Sequence, residues 1–271
     1  MKFTILGASG FIGSHLLSYL QTRNMECFAP DRNDNTLFGT DLGHVIYCIG
    51  LTADFRGRCF DTVRAHICNL LPILEKAEFE SFLYLSSTRV YAGSERTDED
   101  TVLGAKTANA DDLYNLSKMM GESLCLNSGR MNVRVARLSN VYGNNHQSNN
   151  FLDSIIRDAV YEGRIALSTT LESEKDYVSV NDVVEILPKI ATSGRHAIYN
   201  VASGVNVSNR ELIDNLKSLT GSTVEVSNNA RDICFPKISI ERIRDEFNYS
   251  STNIFDALDD LVLTYKRQPV A

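Results

Sequence analysis

Lys2-Phe3-Thr4-Ile5-Leu6-Gly7-Ala8-Ser9-Gly10-Phe11-Ile12-Gly13 is the stretch that decides the fold. Lys2 to Leu6 is a short β-type run, and helix-compatible apolar residues follow from His15 to Thr22. Strand, glycine turn and helix in direct succession open a parallel α/β sheet. The glycines give a tight turn and let backbone N–H groups at the helix N-terminus approach a pyrophosphate. Gly7, Ser9, Gly10, Phe11, Ile12 and Gly13 are therefore candidate dinucleotide-binding residues. Their spacing is G-x-x-G-x-x-G, not the commoner G-x-G-x-x-G. A plain turn is the alternative, and the flanking strand and helix put cofactor binding ahead of it.

Moving outward, Met25 to Ala29 reads as a second strand ending at Asp31-Arg32. Asp31 is placed to accept hydrogen bonds from an adenosine ribose, whereas Arg32 suits a 2′-phosphate, so NAD and NADP both stay open. Val45 to Ile49 is the next strand, and it comes too soon for a normal helix and strand in between. One outer βα unit is reduced or missing. Phe60 to Ala77 has helical periodicity, with a break expected at Pro72. Phe82 to Leu85 is a strand running into Ser86-Ser87-Thr88-Arg89-Val90-Tyr91. Hydroxyls at the carboxyl end of a strand lie where open α/β sheets bind ligands, although such residues also cap and turn the backbone.

Tyr114-Asn115-Leu116-Ser117-Lys118 lies in a helical run from Asp111 to Leu126, in which Leu113, Leu116, Met120 and Leu124 recur at helical spacing. The phenol and the ammonium are one turn apart and share a face. A free phenol, with a pKa of about 10, is a poor base at neutral pH, and a fixed cation favours the phenolate. Such pairs also occur on solvated helix faces. Here the company of the glycine turn and the hydroxyl cluster raises the reading to acid/base chemistry.

Asn132 to Leu138 is a further strand, followed by an amide-rich loop whose His146 reads as solvated. Phe151 to Glu162 is an amphipathic helix, and Lys175 to Val180 a strand leading to Asp182, a cap for a helix over Val183 to Ala191. Ala197 to Val201 is a strand. Ser208 and Glu211 form a capping box for a helix ending at Gly221. A strand near Thr223 to Val226 and helical patches at Ser239 to Glu246 and Asn253 to Lys266 complete the chain.

The composition is that of a globular protein: 271 residues, 43% hydrophobic and 23% charged. A formal charge of −7 argues against nonspecific nucleic-acid binding. Six scattered cysteines without a C-x-x-C pair suit reduced thiols better than disulfides or a metal site. The opening strand leaves no room for a signal peptide, and no apolar run is long enough to span a bilayer. The expectation is a cytoplasmic protein with no membrane, nucleic-acid or metal partner.

With these blocks in order, the chain resembles an extended short-chain dehydrogenase/reductase of the nucleotide-sugar epimerase/dehydratase family. The resemblance rests on Gly7, Gly10 and Gly13, on Leu85 to Tyr91, on Tyr114 with Lys118, and on Asn140-Val141-Tyr142-Gly143. Asp176-Tyr177-Val178-Ser179-Val180-Asn181-Asp182 and Tyr199-Asn200-Val201-Ala202-Ser203-Gly204 extend it over nearly the whole chain. It implies Tyr114 as acid/base, with Lys118 holding the nicotinamide ribose and lowering the tyrosine pKa. It further implies Ser87 as the hydroxyl on the substrate oxygen. Asn140 and Arg231 would meet the phosphate-linked part of a nucleotide sugar. Two departures stand out. Thr88 and Arg89 occupy the positions of the Asp-Glu pair of 4,6-dehydratases, which disfavours elimination, and His66 stands where the family often has asparagine.

The fold expected is a Rossmann-like doubly wound parallel sheet with a smaller C-terminal substrate-binding lobe. Residues 1–143 plus 176–201 would form the dinucleotide-binding domain, and 144–175 plus 202–271 the substrate lobe. The resemblance implies a homodimer through the helices of 60–77 and 111–126. The leading activity is a nucleotide-sugar 4-epimerase using NAD, because Asp31 ends the second strand, with NADP as the alternative cofactor. A 4-ketoreductase or a reductase of a non-sugar carbonyl is the alternative enzyme, and a non-catalytic dinucleotide-binding regulator the rival from another class.

Overall fold

The computed structural model describes residues 1–31, 34–51, 54–144 and 150–267. Six parallel strands form the central sheet: β1 (Lys2–Leu6), β2 (Glu26–Phe28), β3 (His44–Tyr47), β4 (Ser81–Ser87), β5 (Val133–Leu138) and β9 (Ile198–Val201). Their order is β2-β1-β3-β4-β5-β9. The order reverses at β1, which lies between β2 and β3, and open α/β sheets bind ligands outside the carboxyl ends of strands at such a point. Helix α1 (Phe11–Thr22) links β1 to β2. From β2 to β3 the described chain makes only a 3-10 turn, Asn35–Leu37. No strand lies outside β2 among the described residues, in keeping with the reduced outer unit expected from the short spacing.

Alternation along each strand sends side chains to opposite faces, and both faces are covered. Ile46, Leu83, Leu85, Ala136 and Leu138 pack with Leu16 and Leu20 of α1 and with Val184 and Leu187 of α6 (Val180–Ser193). Val45, Tyr47, Phe82, Tyr84 and Val135 pack the other way, against Leu70, Ile73 and Leu74 and against Cys125 of α4 (Ala110–Asn127). Each such buried side chain contributes about 1.5–3 kcal/mol relative to exposure. Helix α4 comes so close to β4 that a Cβ on Gly121 would lie 2.4 Å from the Tyr84 hydroxyl.

The helical run at 60–77 is broken, as its proline requires. It divides into α2 (Cys59–Val63), a π turn at Arg64–Cys68 and α3 (Leu71–Lys76). Pro72 stands in the first turn of α3, where a missing N–H costs nothing, so the break falls ahead of it.

The rest of the chain builds around a third core. Strands β6 (Asn140–Tyr142), β8 (Glu174–Ser179) and β10 (Asn206–Ser208) form one small sheet, and β7 (Arg164–Thr169) pairs with β11 (Thr223–Arg231) in another. Helices α5 (Phe151–Arg157), α7 (Asn209–Thr220) and α9 (Ile254–Arg267) bury Ile155, Ile156, Leu212, Leu216, Leu258 and Val262 against Ile165 and Leu167. Helix α8 (Glu241–Phe247) instead sends Ile243 into the core beside α6. The capping box of Ser208 and Glu211 forms as predicted.

One expectation is corrected. Asp182 does not cap α6, which starts earlier; Ser179 does, accepting from the N–H of Asn181. The Asp182 carboxylate instead receives the N–H (2.7 Å) and hydroxyl (2.9 Å) of Thr252, tying the segment before α9 to α6.

Candidate active site

A cavity of about 420 Å³ opens at the carboxyl ends of β1, β3, β4 and β5. Gly10, Phe11 and Ile12 of the glycine turn line it together with Ser87, Tyr114 and Lys118 and with Asn140, Lys175 and Phe235. The strand ends thus bring together groups more than a hundred residues apart in sequence. A larger hollow of about 700 Å³ over residues 92–106 contains neither the glycine turn nor the Tyr114–Lys118 pair.

Tyr114 and Lys118 project from α4 toward the end of β4, and both are buried. Helix α4 is well specified at its start: the Asn109 side chain accepts from the N–H of Asp111, and Asp111 and Asp112 lie in the first turn, which suits the helix dipole. Burial pushes the Tyr114 phenol up, opposed by a hydrogen bond with the Ser87 hydroxyl and by the positive charge of Arg89. Lys118 is anchored on the strand that ends beside Tyr114. Its Nζ donates to the carbonyl of Leu85 at 2.8 Å, and burial pulls the ammonium down to about 7 against the raising influence of Glu122 and Cys48.

Behind the pair stands His66, buried in the π turn, a helix irregularity common at functional sites. Burial and the Lys118 charge pull its imidazole down to about 2, so the ring is neutral at physiological pH. Nε2 faces the N–H of Leu51 at 3.4 Å and accepts from it, which leaves the ring proton on Nδ1. Nδ1 then donates to the Ser117 hydroxyl at 2.7 Å, and Ser117 donates to the carbonyl of Tyr114 at 2.8 Å. The chain of hydrogen bonds fixes the turn of α4 that carries both Tyr114 and Lys118. The ring of His66 also meets Tyr114 edge-on, centroids 5.2 Å apart.

The glycine turn has the shape that a pyrophosphate site needs. Gly7 has φ +88°, and a Cβ on Gly13 would fall 2.2 Å from the Gly7 carbonyl oxygen. At the start of α1, Gly10 offers no side-chain cap and no acidic residue follows in the first turn. Its N-terminal N–H groups are left for an anion. The residues present therefore fit a dinucleotide. Ser9 is exposed on the turn, and Asp31 is exposed beyond β2 and does not line the cavity. Arg32 and the loop histidine His146 lie outside the described residues.

Asn140 reaches the cavity on β6, its amide donating to the carbonyl of Asp176 at 2.8 Å. Arg231, at the exposed end of β11, does not line the cavity, although its charge helps hold the Asp111 carboxyl below its usual range. Phe55, Arg89, Lys175 and Phe235 are among the lining residues that had not been singled out from sequence as site residues. Lys175 had a signal, since it directly precedes the Asp176-Tyr177-Val178 block. Phe55 and Phe235 lie in segments without periodicity or motif. Among the described residues no group of His, Cys, Asp or Glu is placed to hold a metal, and no helix is long and apolar enough to cross a membrane.

The model of the NAD dependent epimerase/dehydratase family matches residues 40–202. The chain belongs to this family, whose members are NAD(P)-dependent enzymes of the extended short-chain dehydrogenase/reductase type. GDP-6-deoxy-D-mannose reductase of Pseudomonas aeruginosa is 29% identical over 251 residues, covering 83% of this chain and 82% of that one. The structure of RMD from Pseudomonas aeruginosa complexed with NADPH superposes with a TM-score of 0.83 at 22% identity, covering 98% of this chain and 99% of that one. UDP-glucose 4-epimerase of Thermotoga maritima with UDP-glucose gives a TM-score of 0.79 at 17% identity, with 98% and 99% covered. At these identities the two structures establish a shared fold.

Proposed function

We propose that the protein reversibly oxidises a ring hydroxyl of a nucleotide-activated sugar, with inversion at C4 as its net reaction. The observation that carries this reading is the meeting of Tyr114, Ser87 and Lys118 in one cavity beside the uncapped turn of α1. Tyr114 takes the proton from the substrate hydroxyl as that oxygen becomes a ketone, and returns it in the reverse step. Ser87 holds the same oxygen throughout; loss of such a donor costs about a hundredfold or more in rate. A bound nicotinamide supplies acceptance and return of hydride at the sugar carbon. Lys118 would hold its ribose, the residues of the Gly7–Gly13 turn the pyrophosphate, and Asp31 the adenosine ribose. Asn140 and Arg231 would hold the phosphate-linked part of the substrate. Thr88 and Arg89 supply no carboxylic acid for elimination, which favours simple redox chemistry over dehydration.

The same reading assigns cofactor binding to 1–143 plus 176–201 and substrate binding to 144–175 plus 202–271. It includes a homodimer through the helices of 60–77 and α4, where Phe60 (74%), Leu71 (41%), Met120 (55%) and Leu126 (39%) are exposed. Sedimentation at micromolar concentration tests that part.

A 4-ketoreductase is the second reading, favoured by the Pseudomonas aeruginosa reductase that matches most of the chain. The test begins by denaturing purified protein and identifying the released dinucleotide by mass spectrometry. Hexose derivatives of UDP, GDP and dTDP are then followed for C4 configuration by NMR. Roughly stoichiometric NAD with C4 inversion supports the epimerase. NADP, with NADPH-dependent reduction of a 4-keto sugar, moves the assignment to the ketoreductase. Failure of every nucleotide sugar to raise the melting temperature sinks both.

A further inference from the structure

We propose that Arg89 binds a carboxylate carried by the sugar itself, next to the carbon on which Tyr114 acts, so that the substrate is a nucleotide-linked uronic acid. The inference rests on the nucleotide-sugar reading above and narrows it.

Arg89 follows Ser87 by two residues, on the 3-10 turn Thr88–Tyr91. Its guanidinium carbon lies 5.3 Å from the ring centre of Phe55, 5.7 Å from Tyr114 and 5.8 Å from Phe235. Three aromatic rings thus hold the planar cation against the cavity wall. Its Nε is buried without a hydrogen-bond partner. No side-chain nitrogen of Arg89 has a hydrogen bond or ion pair among the described residues.

The charges of Asp111 and Asp112 reach this cation, but no neighbouring acid forms an ion pair with it among the described residues. Asp111 is paired with Arg56. Asp112 accepts from the N–H of Lys106 and the amide of Asn115. The carboxylate of Asp176 takes the N–H groups of Ser203, Gly204 and Val205. An arginine half-buried with its Nε shut off from water and unpaired carries a cost, and an incoming anion at that edge of the guanidinium removes it. In a chain of formal charge −7 the arrangement is not a by-product of general basicity.

Position decides which anion. Besides Lys118 and Arg56, the latter paired with Asp111, the cavity is lined by Lys175, its Nζ 4.3 Å above the ring of Phe151 and likewise without an ion pair among the described residues. Burial, helped by Arg89, pulls it down to about 8. Lys175 precedes Asp176, whose carbonyl engages Asn140, the residue assigned to the phosphate-linked part. Arg89 lies against the ring of Tyr114, the proposed acid/base, as well as against Phe55 and Phe235. Because Arg89 lies against the proposed acid/base and follows Ser87 by two residues, its anion is assigned to the sugar as a carboxylate, and the diphosphate to Lys175. The planar fork of arginine matches a carboxylate through paired N–H donors.

The test is calorimetric titration of the NAD-loaded full chain with matched pairs, the hexose and hexuronate derivatives of UDP, GDP and dTDP. The wild type is expected to bind the hexuronate of at least one pair about tenfold or more tighter than its hexose. Arg89→Leu is expected to abolish that preference, with the loss falling on the hexuronate, and Arg89→Lys to keep part of it. A melting curve establishes that each variant is folded; if Arg89→Leu is not, Arg89→Lys and Arg89→Gln carry the comparison. Equal binding within each pair, or binding of hexoses alone, overturns the inference while leaving the nucleotide-sugar reading intact. Equal losses for both members on substitution also overturn it and make Arg89 a diphosphate contact. No binding by any of the six overturns both.

Discussion

Arg137 and Glu122 form a buried bidentate ion pair, with Nη2 to Oε2 at 2.7 Å and Nε to Oε1 at 3.0 Å, and side chains only 3% and 5% exposed. The pair joins β5 to α4 directly behind the cavity, and Ser86 donates to the same carboxylate. Arg137→Met would leave Glu122 charged, buried and unpaired, at an expected cost of about 3–5 kcal/mol in urea unfolding. The double variant Arg137→Met/Glu122→Leu should recover much of that loss. A cost below about 1 kcal/mol for the single change would show that the fold tolerates the lone carboxylate.

Tyr114→Phe deletes the proton-exchanging group and keeps the ring that packs against Phe55 and His66. Turnover is expected to fall about 10²–10⁴-fold with dinucleotide affinity little changed. Stopped-flow hydride transfer and a dinucleotide titration read the two effects separately. Undiminished turnover would place the acid/base elsewhere.

Lys118→Met is expected to stabilise the protein while abolishing turnover. The folded-state pKa of about 7 lies below the ordinary 10.5, so between these values the unfolded chain holds a proton that the folded chain has released. Stability therefore climbs with pH across that window, and the penalty for burying the charge is complete below about pH 7. The substitution should flatten the climb and add on the order of 1 kcal/mol at neutral pH. Thermal melts from pH 6 to 10 would contradict this if both proteins showed the same slope.

Gly13→Ala should cost more than Gly10→Ala. A Cβ at 13 meets the Gly7 oxygen at 2.2 Å and the Ala8 Cα at 2.9 Å, whereas one at 10 comes no nearer than 3.3 Å to the Gly7 oxygen. The expected loss is about 1–3 kcal/mol at position 13, together with weaker dinucleotide binding, and less at position 10. Equal melting temperatures for the two variants would mean that the turn relaxes freely.

Much of the central sheet was legible in the sequence because its strands are apolar runs and its helices carry a clear stripe. The short spacing between the second and third strands even pointed to a reduced or missing outer unit, in keeping with the lone 3-10 turn among the described residues there. The strands β6 and β10 were not legible, since three residues cannot display alternation. β7 does alternate in burial, yet its alternation is carried by Ile165, Leu167 and Thr169 only, beneath a polar surround. The Tyr114–Lys118 pair was legible from spacing plus context. Its electrostatics were not: that the charge of Arg89 acts on the phenol depends on where the turn after β4 aims a side chain. Nor could spacing reveal the His66–Ser117–Tyr114 chain, which joins residues 51 positions apart.

Asn200 donates through one amide to the carbonyl of Thr97 at 2.8 Å and to that of Ser239 at 2.9 Å, and the N–H of Ser239 returns to the Thr97 hydroxyl at 2.9 Å. The segment beside the 3-10 turn is thus clasped by residues made 103 and 142 positions later. A ribosome adding about 5–20 residues per second needs on the order of ten seconds or more to cover that distance. Throughout that interval the nascent chain carries its glycine turn and its tyrosine without the clasp. Until the clasp closes, the growing polypeptide depends on shielding during synthesis, before the stability of the finished molecule can act.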